Sequence, residues 1–429
     1  MKRWQWAIRL VTRRMWFRAA LFCLFAVALA LAGALIGHAI SYNFATKIGA
    51  KSVDNILNVL ASSMLAVTTF SLATMVSAYA GATSNITPRA VQLLIEDSTS
   101  QNALATFLGS FLFAIVGIIA LSTGLYGDTG RVILYGGTVL VITVIVVTFI
   151  RWIEHITKFG RVSDTVDRVE RAATAAVETM AQRPHFGAGL PIVVPDGVTV
   201  VRQLRTGRVT HVDVVELAKA AKQIGATIHL VALPGTLVDP AARLVWTTAA
   251  IDKPQQVRIR EAFTLSNSRA FDHDPRFGLV VLSETASRAL SPAVNDPGTA
   301  IAVIEAATRV LTAILCHDPD PAAHYREGVE IPPIAFADML EDLYRPIARD
   351  GAGIIEVAIR LQKSLGVLSV MCADAGGDCH ATAVDAFDRA RHALKSDADI
   401  ERLTDVHNLI WHKHKISLTR NIDPKTSTR

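Results

Sequence analysis

The chain has 429 residues and a formal net charge of +5 at pH 7, with 51% hydrophobic and 19% charged residues. Soluble globular domains carry about 25% charged residues, so this balance indicates a protein with a large part in lipid. The high apolar content excludes a disordered chain, and counts of 26 Gly and 4 Cys exclude a collagen-like chain or a disulfide-stapled scaffold.

Four apolar stretches are long enough to cross a bilayer as a helix, which takes about 20 residues. They cover about residues 16–40, 56–82, 103–125 and 132–153, and none has a charged residue in its interior. A cleaved signal peptide is the alternative for the first stretch, but the run is long and lacks a small-residue cleavage site. We therefore predict a multi-span α-helical membrane domain with four transmembrane helices over residues 1–155.

The basic residues predict the orientation of these spans. Lys and Arg cluster before the first span and after the fourth, whereas the two loops on the opposite side contain only Lys47, Lys51 and Arg131. Because basic loops stay on the cytoplasmic side, this asymmetry predicts cytoplasmic N- and C-termini. The expected location is the inner (cytoplasmic) membrane, and the lipid bilayer is the first expected partner.

The second span differs from the others because it is dense in Ser, Thr and small residues. Steps of four and three place one set of them on a single helix face. The set is Ser63, Val67, Phe70, Thr74, Ser77 and Gly81. Such a face suits close helix packing in lipid. It also suits the lining of a water-filled path in an oligomer, in which Phe70 would form a dewetting constriction. Because the face has no charged residues, such a path is predicted to have weak ion selectivity.

A bend follows the second span. Pro88 ends or kinks the helix, and after Arg89 an amphipathic segment is expected to lie along the inner surface. Asp97 or Ser98 then supplies a start signal for the third span. This bend suits a gate at a cytoplasmic mouth, and it suits an ordinary loop equally well.

Residues 156–197 are predicted to form an amphipathic helix and a linker. The helix is expected to continue directly from the fourth span, and the Pro- and Gly-rich linker covers residues 183–197. The apolar seam of the predicted helix is rich in Ala and has two interpretations. It can pack against the chain's own domain, or it can form a coiled coil between subunits. The seam consists of Val162, Val166, Val169, Ala173, Ala176 and Met180.

Residues 198–265 are predicted to form a small β-rich module. The pattern indicates a hairpin with its turn at Thr206-Gly207, then a helix closed by Gly225, then two strands separated by the turn Pro234-Gly235. This order suggests a small sandwich or barrel, so the region after the membrane domain is of the α+β class.

Residues 266–429 are predicted to form a helical bundle. Helices over 279–290 and 299–315 are joined by SPAVNDPG, in which the prolines break the helix and Asn295 or Asp296 can cap the second one. A rigid capped corner explains this pattern, and an anion or ligand site at the helix N-terminus is the alternative. The motif and ligand candidates are Arg269, Asp274, Arg288, Ser291, Asn295, Asp296 and Thr299.

Three motifs and one turn carry a resemblance to a known family. They are ALSPxxNDPxTA from Ala289, RxxxxDxxFG from Arg269, TPRA from Thr87, and the turn Pro234-Gly235. From about Met15 to about Cys372, the chain resembles a bacterial family of predicted membrane proteins that is catalogued as a domain of unknown function. The resemblance implies four spans and a cytoplasmic domain, and it implies no established activity. The TPRA motif departs from the family's usual SPRxL, since Thr87 stands where the family has Ser.

Catalytic chemistry is not indicated by any motif. The patterns GxxxxGK[ST], GxGxxG, GxSxG and HExxH do not occur in the sequence. We expect no enzymatic activity, no cofactor, no metal and no nucleic-acid partner.

Two functions remain. The first is a homo-oligomeric channel or pore-like protein, in which the second span lines the path and the cytoplasmic region forms a vestibule. The alternative is a membrane-anchored cytoplasmic sensor or scaffold that binds a small anion or a protein partner. A coupled transporter is disfavoured, because no ionisable residue lies at mid-membrane. The expected partners are lipid, further copies of the chain, and ions or a small anion.

Overall fold

The computed structural model describes residues 11–12, 14–37, 50–124, 128–181, 194, 196–315, 328–332, 334–371 and 375–420. The chain divides into two compact units. The first comprises Ala7–Ser84 and Pro88–Thr165 and is called the membrane unit here. The second contains Asn85–Thr87 and Val166–Arg429 and is called the carboxy-terminal unit. The predicted ends of the first and third spans, and most of the linker at 183–197, lie outside the described residues.

The membrane unit is helical. Its helices are α1 (Met15–Gly37), α2 (Ala50–Asn85), α3 (Val91–Ile95), α4 (Ser98–Ser122) and α5 (Asp128–Ile156). Small residues bring these helices close together, as is usual in lipid. A Cβ placed on Gly109 of α4 would lie 3.3 Å from the carbonyl oxygen of Phe22 in α1, and one on Gly117 would lie 3.1 Å from Leu57 in α2.

Within the described residues, four helices are long and apolar enough to cross a membrane, and they cover Ser52–Ser84, Val91–Ser122, Gly130–Ile156 and Pro297–Leu315. The first three correspond to predicted spans two to four, and α1 contributes the shorter apolar segment Trp16–Leu31. The predicted fold class, a helical membrane region with a small sheet region and carboxy-terminal helices, is confirmed.

The fourth span does not continue as one helix into the next segment, contrary to the prediction. Helix α5 ends at Ile156, and α6 (Val162–Ala181) begins after a turn. The reason is Gly160, whose φ of +78° lies in the left-handed region that interrupts a helix. The middle of the apolar seam of α6 is buried within its own chain, since Val169, Ala173 and Ala176 are at most 2% exposed.

The carboxy-terminal unit begins with a β-rich module of two sheets. Its elements are β1 (Thr199–Arg202), β2 (Gly207–Val212), α7 (Val214–Ile224), β3 (Ile228–Leu230), β4 (Leu237–Val238), β5 (Arg243–Thr247), α8 (Lys253–Glu261), β6 (Phe263–Ser266) and β7 (Val329–Glu330). The strand orders are β1-β5-β3-β7 and β4-β2-β6. Strand β7 pairs parallel with β3, although it comes from the segment predicted to be helical.

The predicted hairpin at Thr206-Gly207 is wrong. Strand β1 pairs with β5, and β2 pairs with β4 and β6, so β1 and β2 lie in different sheets. Gly207 is the first residue of β2 and pairs with Val238. Glycine is required here by packing, because a Cβ on Gly207 would lie 3.3 Å from Cβ of Leu265. The helix closed by Gly225 and the turn at Pro234-Gly235 are found where the sequence places them.

The remaining helices form the bundle. They are α9 (Pro275–Ala289), α10 (Pro297–Leu315), α11 (Phe336–Asp350), α12 (Ile355–Met371), α13 (Gly376–Ala393) and α14 (Asp397–Arg420). Helix α10 is apolar enough for a membrane, but it packs against α9 and α12 in the same unit and buries Val303, Ala307 and Val310 completely. Its composition therefore reflects a protein core, which is the other environment of a helix that is apolar all round.

Candidate functional site

The five residues proposed to line a path lie on an outward-facing side of α2. Ser63, Phe70 and Ser77 are exposed, with Phe70 71% exposed, whereas Val67 and Thr74 are half-buried. The opposite side of α2 packs within the membrane unit, where Leu57, Met64, Ser71 and Met75 are buried. The face that the sequence singled out is thus available to lipid, to water or to another copy of the chain.

Three hydroxyl groups on this side of α2 are hydrogen-bonded to the helix's own backbone. Ser63 Oγ donates to the carbonyl oxygen of Leu60 at 3.2 Å, and Thr74 Oγ1 donates to that of Phe70 at 2.8 Å. Thr69 Oγ1 makes the same kind of bond to Ala66 at 2.9 Å. Because the hydroxyl protons point back to the backbone, the oxygen lone pairs are the polar groups that remain for solvent. The surface is therefore weakly polar, uncharged and rich in acceptors.

Helix α5 presents a very different outward surface. Its exposed residues over 139–153 are almost all large and apolar, as expected for a face in contact with lipid tails. They are Val139, Leu140, Ile142, Val144, Val146, Val147, Phe149, Ile150 and Ile153. The exposed residues of α2 include several Ser and Thr, and large apolar side chains are fewer there than on α5.

The bend after α2 leads into a capped helix start. Pro88 and Arg89 are exposed, and the short helix α3 follows. Asp97 caps α4, since its carboxylate accepts from the backbone N–H of Ser100 at 2.8 Å. The same carboxylate lies 2.9 Å from Nε2 of His155 on α5, so the start of α4 and the end of α5 are joined.

The motif residues Arg269 and Asp274 form a buried ion pair. Arg269 Nε and Nη2 donate to the two carboxylate oxygens of Asp274 at 2.6 and 2.8 Å, and its guanidinium lies 5.2 Å from the ring centre of Phe277. Asp274 is 2% exposed, and it caps α9 by accepting from the N–H of Phe277. Burial raises the pKa of the Asp274 carboxyl, and the hydrogen bonds from Arg269 oppose that rise.

The turn at Pro234-Gly235 packs directly on this ion pair. A Cβ on Gly235 would lie 2.3 Å from Oδ2 of Asp274, and the φ of Gly235 is +93°. Arg208 fixes the turn from the other side, since its Nη1 donates to the carbonyl oxygen of Gly235 at 2.8 Å. Two motifs that lie about 40 residues apart in sequence thus meet at one buried point, and the pair joins the β-rich module to the start of α9.

The other motif residues form a separate corner. Asp296 caps α10, since its carboxylate accepts from the backbone N–H of Thr299 at 3.0 Å and from its hydroxyl at 2.6 Å. Both bonds lower the pKa of Asp296, and the bond from the Thr299 hydroxyl has the larger effect. Asn295 has a φ of +49°, and Ser291 donates its hydroxyl to the carbonyl oxygen of Arg288 at 2.7 Å. Arg288, Asn295 and Asp296 are exposed.

The structure separates the motif candidates into two groups. Asp274 and Arg269 lie at the start of α9, and Arg288 lies near its end. A helix of 15 residues is about 22 Å long, so the two groups do not share a site. The corner after α9 provides helix caps and turns. In the described part of the chain, no cluster of three or more His, Cys, Asp or Glu side chains has a metal-binding arrangement.

Two buried polar networks in the bundle were missed from the sequence. Gln362 is 1% exposed and accepts from His407 Nδ1 at 2.9 Å and from Trp411 Nε1 at 3.1 Å. Tyr344 bonds Ser364 in the core, and burial raises the pKa of Tyr344 to about 12. No local signal marks such networks, because their members come from different helices.

Comparison with known proteins agrees with the apolar helices of the membrane unit. The family described as "Predicted membrane protein (DUF2254)" matches residues 12–366, so the chain belongs to this family. It is a predicted membrane protein.

Similar proteins come from mycobacteria. The uncharacterized proteins Mb1321c of Mycobacterium bovis and Rv1290c of Mycobacterium tuberculosis strain H37Rv are each 25% identical over 311 residues, covering 68% of this chain. The chain spans about three fifths of the length of these relatives, 59% in each case. No solved structure matches the chain significantly.

Proposed function

We propose that this protein is a homo-oligomeric channel or pore-like protein in which α2 lines the path and the carboxy-terminal unit forms a cytoplasmic vestibule. The observation that carries the proposal is the contrast between the outward surfaces of α2 and α5. Helix α5 presents a lipid-like face, whereas α2 presents Ser63, Thr74 and Ser77 beside Phe70. A weakly polar face is poorly matched to lipid tails and well matched to water or to a neighbouring helix.

The chemistry of the path follows from this surface. Its hydroxyl oxygens offer acceptors without fixed charge, so selectivity among small ions would be weak. Phe70 is the largest exposed side chain among the five candidates, and a ring of such side chains around an axis would make a dewetting constriction.

The test is conductance of the purified protein in a planar bilayer under voltage or membrane tension. Phe70→Ser removes the apolar constriction, so we expect a larger conductance or a higher open probability. Leu72→Ser is the matched control, because Leu72 is exposed on α2 but lies about 160° around the helix from Phe70. Bilayers that stay silent with the wild type and with Phe70→Ser would argue against a channel, and equal effects of both substitutions would argue against this face.

The proposed location is the inner membrane, with both termini in the cytoplasm. The support is the distribution of Lys and Arg around the spans. Reporter fusions at the C-terminus test it, since alkaline phosphatase is active only in the periplasm and green fluorescent protein fluoresces in the cytoplasm. An active phosphatase fusion would refute the proposed orientation.

A membrane-anchored sensor or scaffold is the second candidate. It is favoured by the compactness of the carboxy-terminal unit, which has its own buried core over Val201, Leu217, Leu244 and Ile259. In this case a fragment of the unit should fold alone and bind a small anion or a protein. The fragment must include α6, because Val169 and Ala173 are part of its buried interior. We would therefore express residues 162–429. Binding that survives Asp296→Asn would exclude the corner before α10 as the ligand site.

A further inference from the structure

Helices α12 and α14 of the bundle run side by side in the same direction. The side chain of Gln362 on α12 accepts from Nδ1 of His407 on α14 at 2.9 Å. One turn later along both helices, a Cβ on Gly366 would lie 2.6 Å from Cγ2 of Ile410. Because both contacts advance together, α12 and α14 have their carboxy-terminal ends at the same end of the bundle.

This end of the bundle exposes several large apolar side chains. Val367, Val370 and Met371 of α12 are 50%, 73% and 41% exposed, and Leu409 of α14 is 63% exposed. Val370 lies one turn after Gly366, so it is on the side of α12 that faces α14, yet most of it is uncovered. Single exposed apolar residues are ordinary, whereas four at one end of a bundle indicate a surface that contacts another molecule. We call these four residues the apolar tip.

Charge is separated along α14, which continues to Arg420. Residues 397–411 contain four acidic residues and one basic residue. Residues 412–420 contain Lys413, Lys415 and Arg420 and no acidic residue. The basic stretch therefore occupies the part of α14 that follows Leu409 of the apolar tip.

Helix stability accounts for only part of this charge pattern. A cation in the last turn is favoured by the helix dipole, and Arg420 meets that condition. Lys413 and Lys415 lie more than one turn before the end of α14, where the effect of the dipole has decayed. The dipole also gives no reason for exposed Val, Leu and Met side chains at the same end of the bundle. A binding partner that is both negative and apolar explains the two features together.

The surface of a bilayer with anionic lipids has this combination. Apolar side chains enter the boundary between headgroups and acyl chains, and nearby Lys and Arg are attracted to the negative headgroups. Because the chain belongs to a family of predicted membrane proteins, lipid is a constant neighbour.

We propose that the apolar tip and residues 412–420 dock this end of the bundle on a bilayer surface that carries anionic headgroups. The docking is a property of the carboxy-terminal unit and does not rest on the proposed channel. It combines two contributions, the burial of apolar side chains and the attraction between Lys or Arg and the headgroups. Substitutions can remove each contribution separately.

The experiment varies the lipid and measures the end of α14. Full-length protein is placed in nanodiscs of phosphatidylcholine alone, or of equal parts phosphatidylcholine and phosphatidylglycerol, and hydrogen–deuterium exchange is followed over residues 409–420. We expect the anionic lipid to slow this exchange about tenfold, because docking stabilises the end of the helix. Raising the salt from about 0.1 M to about 1 M shortens the Debye length from about 10 Å to about 3 Å and should cancel the slowing.

Two variants remove the two contributions, and each has a matched control. A Lys near an anionic surface strengthens binding about fivefold, so Lys413→Gln with Lys415→Gln should weaken docking about 25-fold and leave less than about twofold slowing. Val370→Ser removes apolar area at an exposed position and should weaken docking about tenfold.

The controls make the same changes at exposed positions of the β-rich module. Lys222→Gln with Lys253→Gln removes two charges there, and Val257→Ser replaces a Val that is 48% exposed on α8. Neither control should change the slowing. A phosphatidylcholine with a photoreactive acyl chain, included in both lipid mixtures, should label residues 367–371 more strongly when anionic lipid is present.

Equal exchange over 409–420 in the two lipid mixtures would overturn the proposal. Slowing that survives both the double lysine substitution and Val370→Ser would overturn it as well, because the lipid would then act elsewhere. Slowing that grows with protein concentration in both mixtures would assign the apolar tip to a second copy of the chain instead of lipid. None of these outcomes involves conductance, so the docking stands or falls independently of the channel.

Discussion

The contact between Gly235 and Asp274 makes a sharp prediction about stability. In Gly235→Ala the new methyl group would lie 2.3 Å from Oδ2, 2.8 Å from Cγ and 3.0 Å from Oδ1 of Asp274. The turn cannot easily retreat, because the N–H of Gly235 donates to Val209 at 2.8 Å and its carbonyl accepts from Arg208 at 2.8 Å. The carboxylate of Asp274 must therefore move away from Arg269.

Two costs add in this variant. An alanine in the left-handed region costs about 1–2 kcal/mol. Disruption of a buried ion pair, which leaves a charge without its partner, costs about 3–5 kcal/mol. The expected loss is about 4–7 kcal/mol, which is a large part of the usual 5–15 kcal/mol stability of a domain.

The matched control is Gly225→Ala. Gly225 has a φ of +74°, but a Cβ there would meet nothing within 4 Å, so this variant has the backbone strain without the collision. It should lose only about 1–2 kcal/mol. Thermal unfolding of the full-length protein in detergent, followed by near-ultraviolet circular dichroism, compares the two.

Exchange of the Phe277 amide provides a local measurement, since this N–H donates to Asp274 in the native protein. It should become faster in Gly235→Ala and stay protected in Gly225→Ala. If the two variants unfolded at the same temperature with the same protection of Phe277, the close packing of the turn on the ion pair would be refuted.

Three further predictions concern the carboxy-terminal unit. Asp296→Ala removes the cap of α10 and should cost about 1 kcal/mol in urea unfolding. The bonds from Thr299 lower the pKa of Asp296, so the contribution of this carboxylate to the free energy of unfolding is complete above pH 3.8, the ordinary pKa, and is lost as pH falls through the lower pKa of the folded state. An unchanged urea midpoint in Asp296→Ala would contradict the cap. Burial lowers the pKa of His407, so the contribution of the neutral imidazole to stability is present above pH 6.5, the ordinary pKa, and is lost as pH falls through the lower pKa of the folded state. His407→Gln should weaken the dependence of the thermal midpoint on pH, as measured by thermal melts at a series of pH values. Gln362→Leu removes the oxygen that accepts from His407 and Trp411, so stability should fall by about 1–3 kcal/mol. A thermal midpoint equal to that of the wild type would exclude a role for this network.

Much of the local structure was predictable because its causes are local. Runs of apolar residues predicted the helices of the membrane unit, and start and stop signals placed helix ends at Asp97, Gly225 and Asp296. The face of α2 with hydroxyl groups was also visible from spacing alone. A helix repeats every 3.6 residues, and a capping residue lies within one turn of the amides it bonds, so short windows of sequence contain the information.

Only the tertiary structure decided the pairings between distant segments. The strands β1 and β2 read as a hairpin, yet Gly207 was required by packing against Leu265 and the two strands belong to different sheets. The motif residues looked like one group, yet they lie at the two ends of α9. Helix α10 has the composition of a membrane span, yet its surroundings are α9 and α12. Apolar residues specify that a surface avoids water, but not whether lipid or protein covers it; that depends on contacts between residues far apart in sequence.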